Sequence, residues 1–184
     1  MTTDQVHEWL LDYRGKYPDD YDTGILNLGE PSELGHEELA VIYAWKFHGL
    51  WPKNKIKLLR EATTDNQARE ITRFAKSAKD DLVALKIAGL LPGAKAAGAS
   101  AVLVALDQSR FTVMDKRAIA SLKTLGLWDV SGSRKEASYD HWVEYLGVCR
   151  KLAKDHRLSL REVDRALWAA NGQEIGGKVV IRGR

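Results

Sequence analysis

Leu91-Pro92-Gly93-Ala94-Lys95-Ala96-Ala97-Gly98-Ala99-Ser100-Ala101 begins with a turn signal and runs into small apolar residues. Phe111-Thr112-Val113-Met114-Asp115 follows. Pro and Gly side by side stop one helix, and the Ala96 to Leu106 segment reads as a second helix apolar on most of its circumference. A helix buried on most sides belongs at the centre of a fold. The extended run that comes after it ends on an acid, Asp115, 24 positions beyond Leu91. A new helix begins there and closes at Gly126, a residue suited to the left-handed conformation past a helix end.

Working outward, helical periodicity continues in both directions. Towards the N-terminus, Val6, Trp9, Leu10 and Tyr13 make an amphipathic helix that opens with Thr2 and Gln5 at capping-box spacing and ends near Arg14. Residues 15–32 carry two of the four prolines and read as the longest surface connection. A second helix spans 37–48, and a third starts after Asn54. A fourth follows Asp65-Asn66 with Ala68, Ile71, Phe74 and Ala75 inward, and a short one runs from Asp80 to Gly89. Towards the C-terminus, Ser138 opens a long helix with Trp142, Tyr145, Leu146 and Cys149 on one face. Ser159 and Glu162 form another capping box, and that helix ends at Asn171-Gly172. Residues 175–184 read as a small edge strand or a mobile basic end. The fold class is all-α, arranged as one compact domain over residues 1–184.

Composition narrows the function classes. Twenty-eight basic side chains against 25 acidic ones leave a formal charge of +3, so any nucleic-acid surface must be local. One cysteine excludes an intramolecular disulfide and a four-cysteine iron-sulfur cluster. No apolar run approaches 18 residues and no charged-then-apolar leader stands at Met1, which reads as a soluble cytoplasmic protein without membrane association. His36, His141 and His156 lack metal-ligand spacing, and neither a Gly-Lys-Ser/Thr phosphate loop nor a Gly-x-Ser-x-Gly elbow occurs. No internal repeat supports a solenoid.

The Leu-Pro-Gly turn, the small-residue helix after it and Val113-Met114-Asp115 resemble the helix-hairpin-helix DNA glycosylase superfamily, on the endonuclease III and 8-oxoguanine glycosylase side. The signature there is Leu-Pro-Gly-Val-Gly, a small-residue helix and a catalytic Asp at this spacing. Ala105-Leu106-Asp107 is similar to the 8-oxoguanine branch. Asn66-Gln67-Ala68-Arg69-Glu70-Ile71, with Leu82 and Leu85, is similar to the segment that leads into the hairpin. The resemblance covers residues 37–127 and marks the chain as a divergent member.

It implies a two-lobed helical bundle that grips duplex DNA and flips a nucleotide out for chemistry. Leu91, Pro92, Gly93, Ala94, Lys95, Ala96 and Gly98 would form the phosphate anchor, in this family often around a bound monovalent cation. Lys95 replaces the second glycine, and its ammonium is the alternative positive charge against a phosphate. Asp115 would stabilise an oxocarbenium-like sugar and activate water. Capping the next helix is the plain reading of the same residue, and the two are compatible. Ala97 stands where bifunctional members carry a nucleophilic lysine, so the implied enzyme is monofunctional: it hydrolyses the N-glycosidic bond and leaves an abasic site. No other cofactor is implied, and a monomer is the default.

Two further groups are candidates. Tyr43, Trp45, Lys46 and Phe47, with His48 and Trp51 close by, fall on the helix that by resemblance faces the cleft. They are either a base pocket or ordinary aromatic core. Lys46, Lys53, Lys55, Lys57 and Arg60 form a run without an acid, followed by Lys95, Lys116, Arg117 and Lys123. Such a run suits a phosphate-facing groove, Lys53, Lys55, Lys116 and Arg117 above all, or a solvated helix face. A non-catalytic DNA- or RNA-binding protein that retains the hairpin is the alternative to the enzyme. A helical interaction module without nucleic acid is a third reading.

Overall fold

A computed structural model describes residues 1–48, 52–128, 138–171, 173–175 and 178–180. The described chain is helical apart from one short C-terminal strand pair, and it divides into two compact units. One comprises Asp20–Val113, the other Met1–Asp19 with Met114–Arg184.

The first unit holds α2 (Thr23–Leu26), α3 (His36–Lys46), α4 (Pro52–Ala62), α5 (Asp65–Ser77), α6 (Asp81–Ala88) and α7 (Lys95–Leu106). Helix α7 is its centre: every residue from Gly98 to Leu106 is buried, and α3, α5 and α6 pack on it. Small side chains permit this, because Ala and Gly bring neighbouring backbones close. Fully burying each larger residue, such as Leu103, contributes about 1.5–3 kcal/mol. The 15–32 segment is only partly the surface connection its composition suggests. Tyr17, Asp22 and Ile25 are buried, and α2 forms within it.

Three local expectations change. Helix α4 starts at Pro52, three residues earlier than expected, since proline lacks the N–H that the first helical position leaves unused. The N-cap of α5 is Thr64, whose hydroxyl accepts from Gln67 N–H while Gln67 returns the bond. Asp65 is thereby free to accept from His36 N–H at 2.6 Å and to pair with Arg69. On the same helix Ala68 and Ala75 are buried as expected, but Phe74 is 56% exposed and Thr72 is buried in its stead. The Thr72 hydroxyl accepts from Leu34 N–H at 2.8 Å, so a polar side chain fills the inward position.

The second unit holds α1 (Thr3–Arg14), α8 (Lys116–Thr124), α9 (Tyr139–His156), α10 (Leu160–Ala170), β1 (Gln173–Ile175) and β2 (Lys178–Val180). Helix α10 packs against α1, α8 and α9. Leu160, Val163, Ala166 and Leu167 bury its apolar stripe, and Ser121 of α8 donates to the Leu167 carbonyl. Arg14 of α1 pairs with Glu162, the capping-box acid of α10, at 2.6 Å. The capping boxes expected at Thr2 and Ser159 are both formed, as is the Ser138 cap of α9. Gly126 takes φ +67 beyond α8. Strands β1 and β2 pair antiparallel, with Gln173 opposite Val180; Gly172, Gly176, Gly177 and residues 181–184 lie outside the described residues. Among the described residues no helix is long and apolar enough to cross a membrane.

Candidate nucleic-acid interface

The turn between α6 and α7 is tight and closed by its own backbone. Leu91 N–H donates to the Ala88 carbonyl at 3.2 Å, and Ala94 N–H to the Leu91 carbonyl at 3.0 Å. Gly93 sits at φ +81 and Lys95 at φ +48, so the turn enters α7 through two left-handed residues on either side of Ala94. Glycine takes that conformation without steric cost and lysine does not, which makes Lys95 the strained position. Leu91, Ala94, Ala96 and Gly98 are buried, Pro92 and Gly93 half-buried and Lys95 exposed. The anchor expected at these residues therefore has backbone groups and Lys95 to offer, since the buried apolar side chains face inward.

Helices α3 and α4 supply the support of the turn. Tyr43, fully buried, donates its hydroxyl to the Pro92 carbonyl at 3.0 Å. Burial pushes its pKa well above the ordinary value, which keeps the phenol protonated as a donor. The Phe47 ring meets Tyr43 edge-on at 5.7 Å. A Cβ added at Gly98 would come within 3.0 Å of the Phe47 ring, so glycine there allows the close approach. Lys55 Nζ donates to the Gly93 carbonyl at 2.7 Å and lies 4.1 Å from the Phe47 ring centroid. Burial first, and then the nearby Lys95, hold its pKa below the usual lysine value.

Tyr43 and Phe47 thus belong to the support of the hairpin. Trp45 and Lys46 are half-buried, with the Trp45 ring tilted against Tyr21 at 6.5 Å. Trp51 lies outside the described residues.

The carbonyl oxygens of the turn do not fit a bound monovalent metal cation. Those of Leu91, Pro92, Gly93 and Ala94 accept from Ala94 N–H, Tyr43, Lys55 and Gly98 N–H respectively. A metal ion needs several oxygens converging on one point. Here each oxygen is directed to a separate donor, and one of the donors already carries a positive charge.

Asp115 stands in the other unit, as the N-cap of α8. Its backbone is extended, at φ −130 and ψ 141, and Oδ1 accepts from Arg117 N–H at 2.9 Å. The capping expectation is met by this bond; a carboxylate accepting there also lies favourably at the positive end of the helix. Lys116 is exposed, and the Arg117 guanidinium lies over the Trp168 ring at 4.4 Å. Trp168 meets Tyr17 edge-on at 5.2 Å. Burial raises the Tyr145 phenol pKa far above its ordinary value, and the negative charges of Asp164 and Asp115 push the same way.

Asp164 is the acid that sequence reading missed. It is 3% exposed and paired with Arg161, whose guanidinium also reaches the Tyr17 hydroxyl at 3.3 Å. Its signal was an acid beside Val163, inside the 160, 163, 167 apolar stripe, because a charge at an inward helical position requires a partner.

The basic run is partly neutralised by acids from outside it. Arg60 pairs with Glu37 at 2.7 Å and Lys57 with Glu61 at 3.6 Å. Lys55 turns to the hairpin, which leaves Lys53 as an exposed cation on α4. A continuous phosphate-facing stripe along α4 is therefore reduced to fewer charges. Among the described residues no group of three or more His, Cys, Asp or Glu side chains is assembled as a metal site.

No protein-family model, curated protein or solved structure matches the chain.

Proposed function

We propose that the chain binds duplex DNA through the α6–α7 hairpin and acts as a monofunctional DNA N-glycosylase, removing a damaged or modified base by hydrolysis. The observation that carries the reading is the hairpin itself: a Leu-Pro-Gly turn with Gly93 at positive φ, buttressed from beneath by Tyr43 and Lys55. A rigid turn that directs its carbonyls inward leaves backbone N–H groups at the start of α7, where a phosphate is favoured by the helix dipole. Affinity of that kind carries no sequence preference, as an enzyme that searches for lesions requires.

Asp115 is the chemical half of the reading. A carboxylate oriented by a backbone N–H at the start of α8 is the kind of group that stabilises a developing positive charge on the sugar or orients water. Ala97, half-buried in the first turn of α7, offers no amine for a Schiff base, in keeping with hydrolysis without strand cleavage.

The test is incubation of the full chain with duplexes carrying varied base lesions, followed by alkali to reveal abasic sites, beside Asp115→Asn. Alkali-dependent cleavage that disappears in the variant is expected. Cleavage without alkali overturns the monofunctional assignment.

A second reading, a non-catalytic DNA- or RNA-binding protein that keeps the hairpin, is favoured by Asp115 Oδ1 being engaged as a cap. Tight, salt-sensitive duplex binding with no base released from any lesion would select it. Absence of binding to any nucleic acid would remove both.

A further inference from the structure

We infer that Lys55 is the hairpin's built-in cation: its ammonium, carried in on α4, occupies the place against the carbonyls of the turn that a bound metal ion would otherwise take. This deepens the DNA-anchor reading, and rests on it only for what the turn is used for. The geometry has three parts. First, the carbonyls of residues 91–94 each accept from a separate donor, and the charged donor is Lys55 at 2.7 Å from the Gly93 oxygen. Second, the ammonium is fixed on its other side by the Phe47 ring face at 4.1 Å, a contact that favours a cation at a part-buried position. Third, a metal ion on the Gly93 oxygen would sit within about one van der Waals diameter of this ammonium. Two positive charges that close in a poorly solvated turn repel strongly.

The assignment also separates the two lysines of the hairpin. Lys95, the residue that replaces the second glycine, is exposed and bonds none of the carbonyls of the turn among the described residues. The role of internal cation belongs to Lys55, 38 positions from the carbonyl it holds, and Lys95 stays available to an external anion. Lys55 acts as a positioning residue, because it works through the shape of the turn.

Amide hydrogen exchange of the full chain, read by mass spectrometry over peptides covering residues 88–98, tests this. The salts are potassium, sodium and N-methyl-D-glucamine chloride at equal ionic strength. The three wild-type patterns are expected to coincide. Lys55→Met is expected to speed exchange in residues 92–98 by about tenfold or more, with α10 peptides unchanged, as for an opening confined to one region. Lys55→Arg should restore most of the protection. Greater wild-type protection in potassium or sodium than in the organic cation overturns the proposal, and so does a Met variant that exchanges as wild type does. If Lys55→Met fails to fold, the wild-type salt comparison with Lys55→Arg still decides. Duplex binding is measured separately. Its absence, beside the expected exchange pattern, counts against the anchor reading and supports the Lys55 assignment.

Discussion

The Tyr43 hydroxyl donates to the Pro92 carbonyl at 3.0 Å from a ring that is fully buried, which ties the last turn of α3 to the middle of the hairpin turn. Tyr43→Phe keeps the ring against Phe47 and removes only the donor. A loss of about 1 kcal/mol is expected, the ordinary net value of one hydrogen bond, read as a lower urea midpoint at constant slope. Unchanged stability would show that the Pro92 oxygen finds water equally well.

Thr72 and Leu34 make the corresponding tie on α5. Thr72→Val preserves the shape but leaves the buried Leu34 N–H without its acceptor. The expected cost is about 1–3 kcal/mol, that of orphaning a buried donor, whereas Thr72→Ser should cost less because its hydroxyl keeps the bond. Thermal melts of the two variants side by side would show the order, and the reverse order would contradict the assigned role.

At Asp115 stability and chemistry separate by choice of substitution. Asparagine caps helices about as well as aspartate, so Asp115→Asn should melt close to wild type, while Asp115→Ala should lose about 1 kcal/mol. Base release, under the proposed function, is lost in both. Full release by Asp115→Asn would confine Asp115 to capping.

The pH dependence of stability should carry the signature of His156. This ring is 7% exposed and stacked at 5.5 Å on His7; burial first, then His7, hold its pKa below the ordinary value, with Asp155 pulling upward. The unfolded chain then binds a proton from about pH 6.5 downward while the native ring resists it. Stability at this site is complete above that pH and is lost on acidification, until the native ring titrates as well. Urea unfolding at pH 7.5 and pH 5.5 should show a smaller drop in His156→Phe than in wild type. An equal drop in both proteins would assign the slope to other groups.

Much of the helical architecture was legible because it is written within four residues of itself. The caps at Thr2, Asp80, Asp115, Ser138 and Ser159 bond backbone amides two or three positions on, and the helices begin where those residues stand. On α5 the inward places of Ala68 and Ala75 were legible, but that of Thr72 was not. Phe74 is the more hydrophobic residue, yet Thr72 is buried, because the incoming chain at Leu34 brings an N–H that needs an acceptor. Asp164 escaped for a related reason: its partner Arg161 is local, but the need to bury the pair is set by the packing of α10 on three other helices.

The sequence alone determined where the chain turns at Leu91-Pro92-Gly93, that a small-residue helix follows, and that Asp115 opens the next one, since proline, glycine and capping preferences act over single turns. Only the tertiary structure decided what the neighbouring side chains do. Tyr43 lies 49 positions and Lys55 38 positions from the carbonyls they bond, and no periodicity reports a contact over that distance. Residues that read as a possible base pocket and part of a basic groove became the supports of the hairpin, because burial of α7 draws α3 against it and carries Lys55, on α4, to the turn.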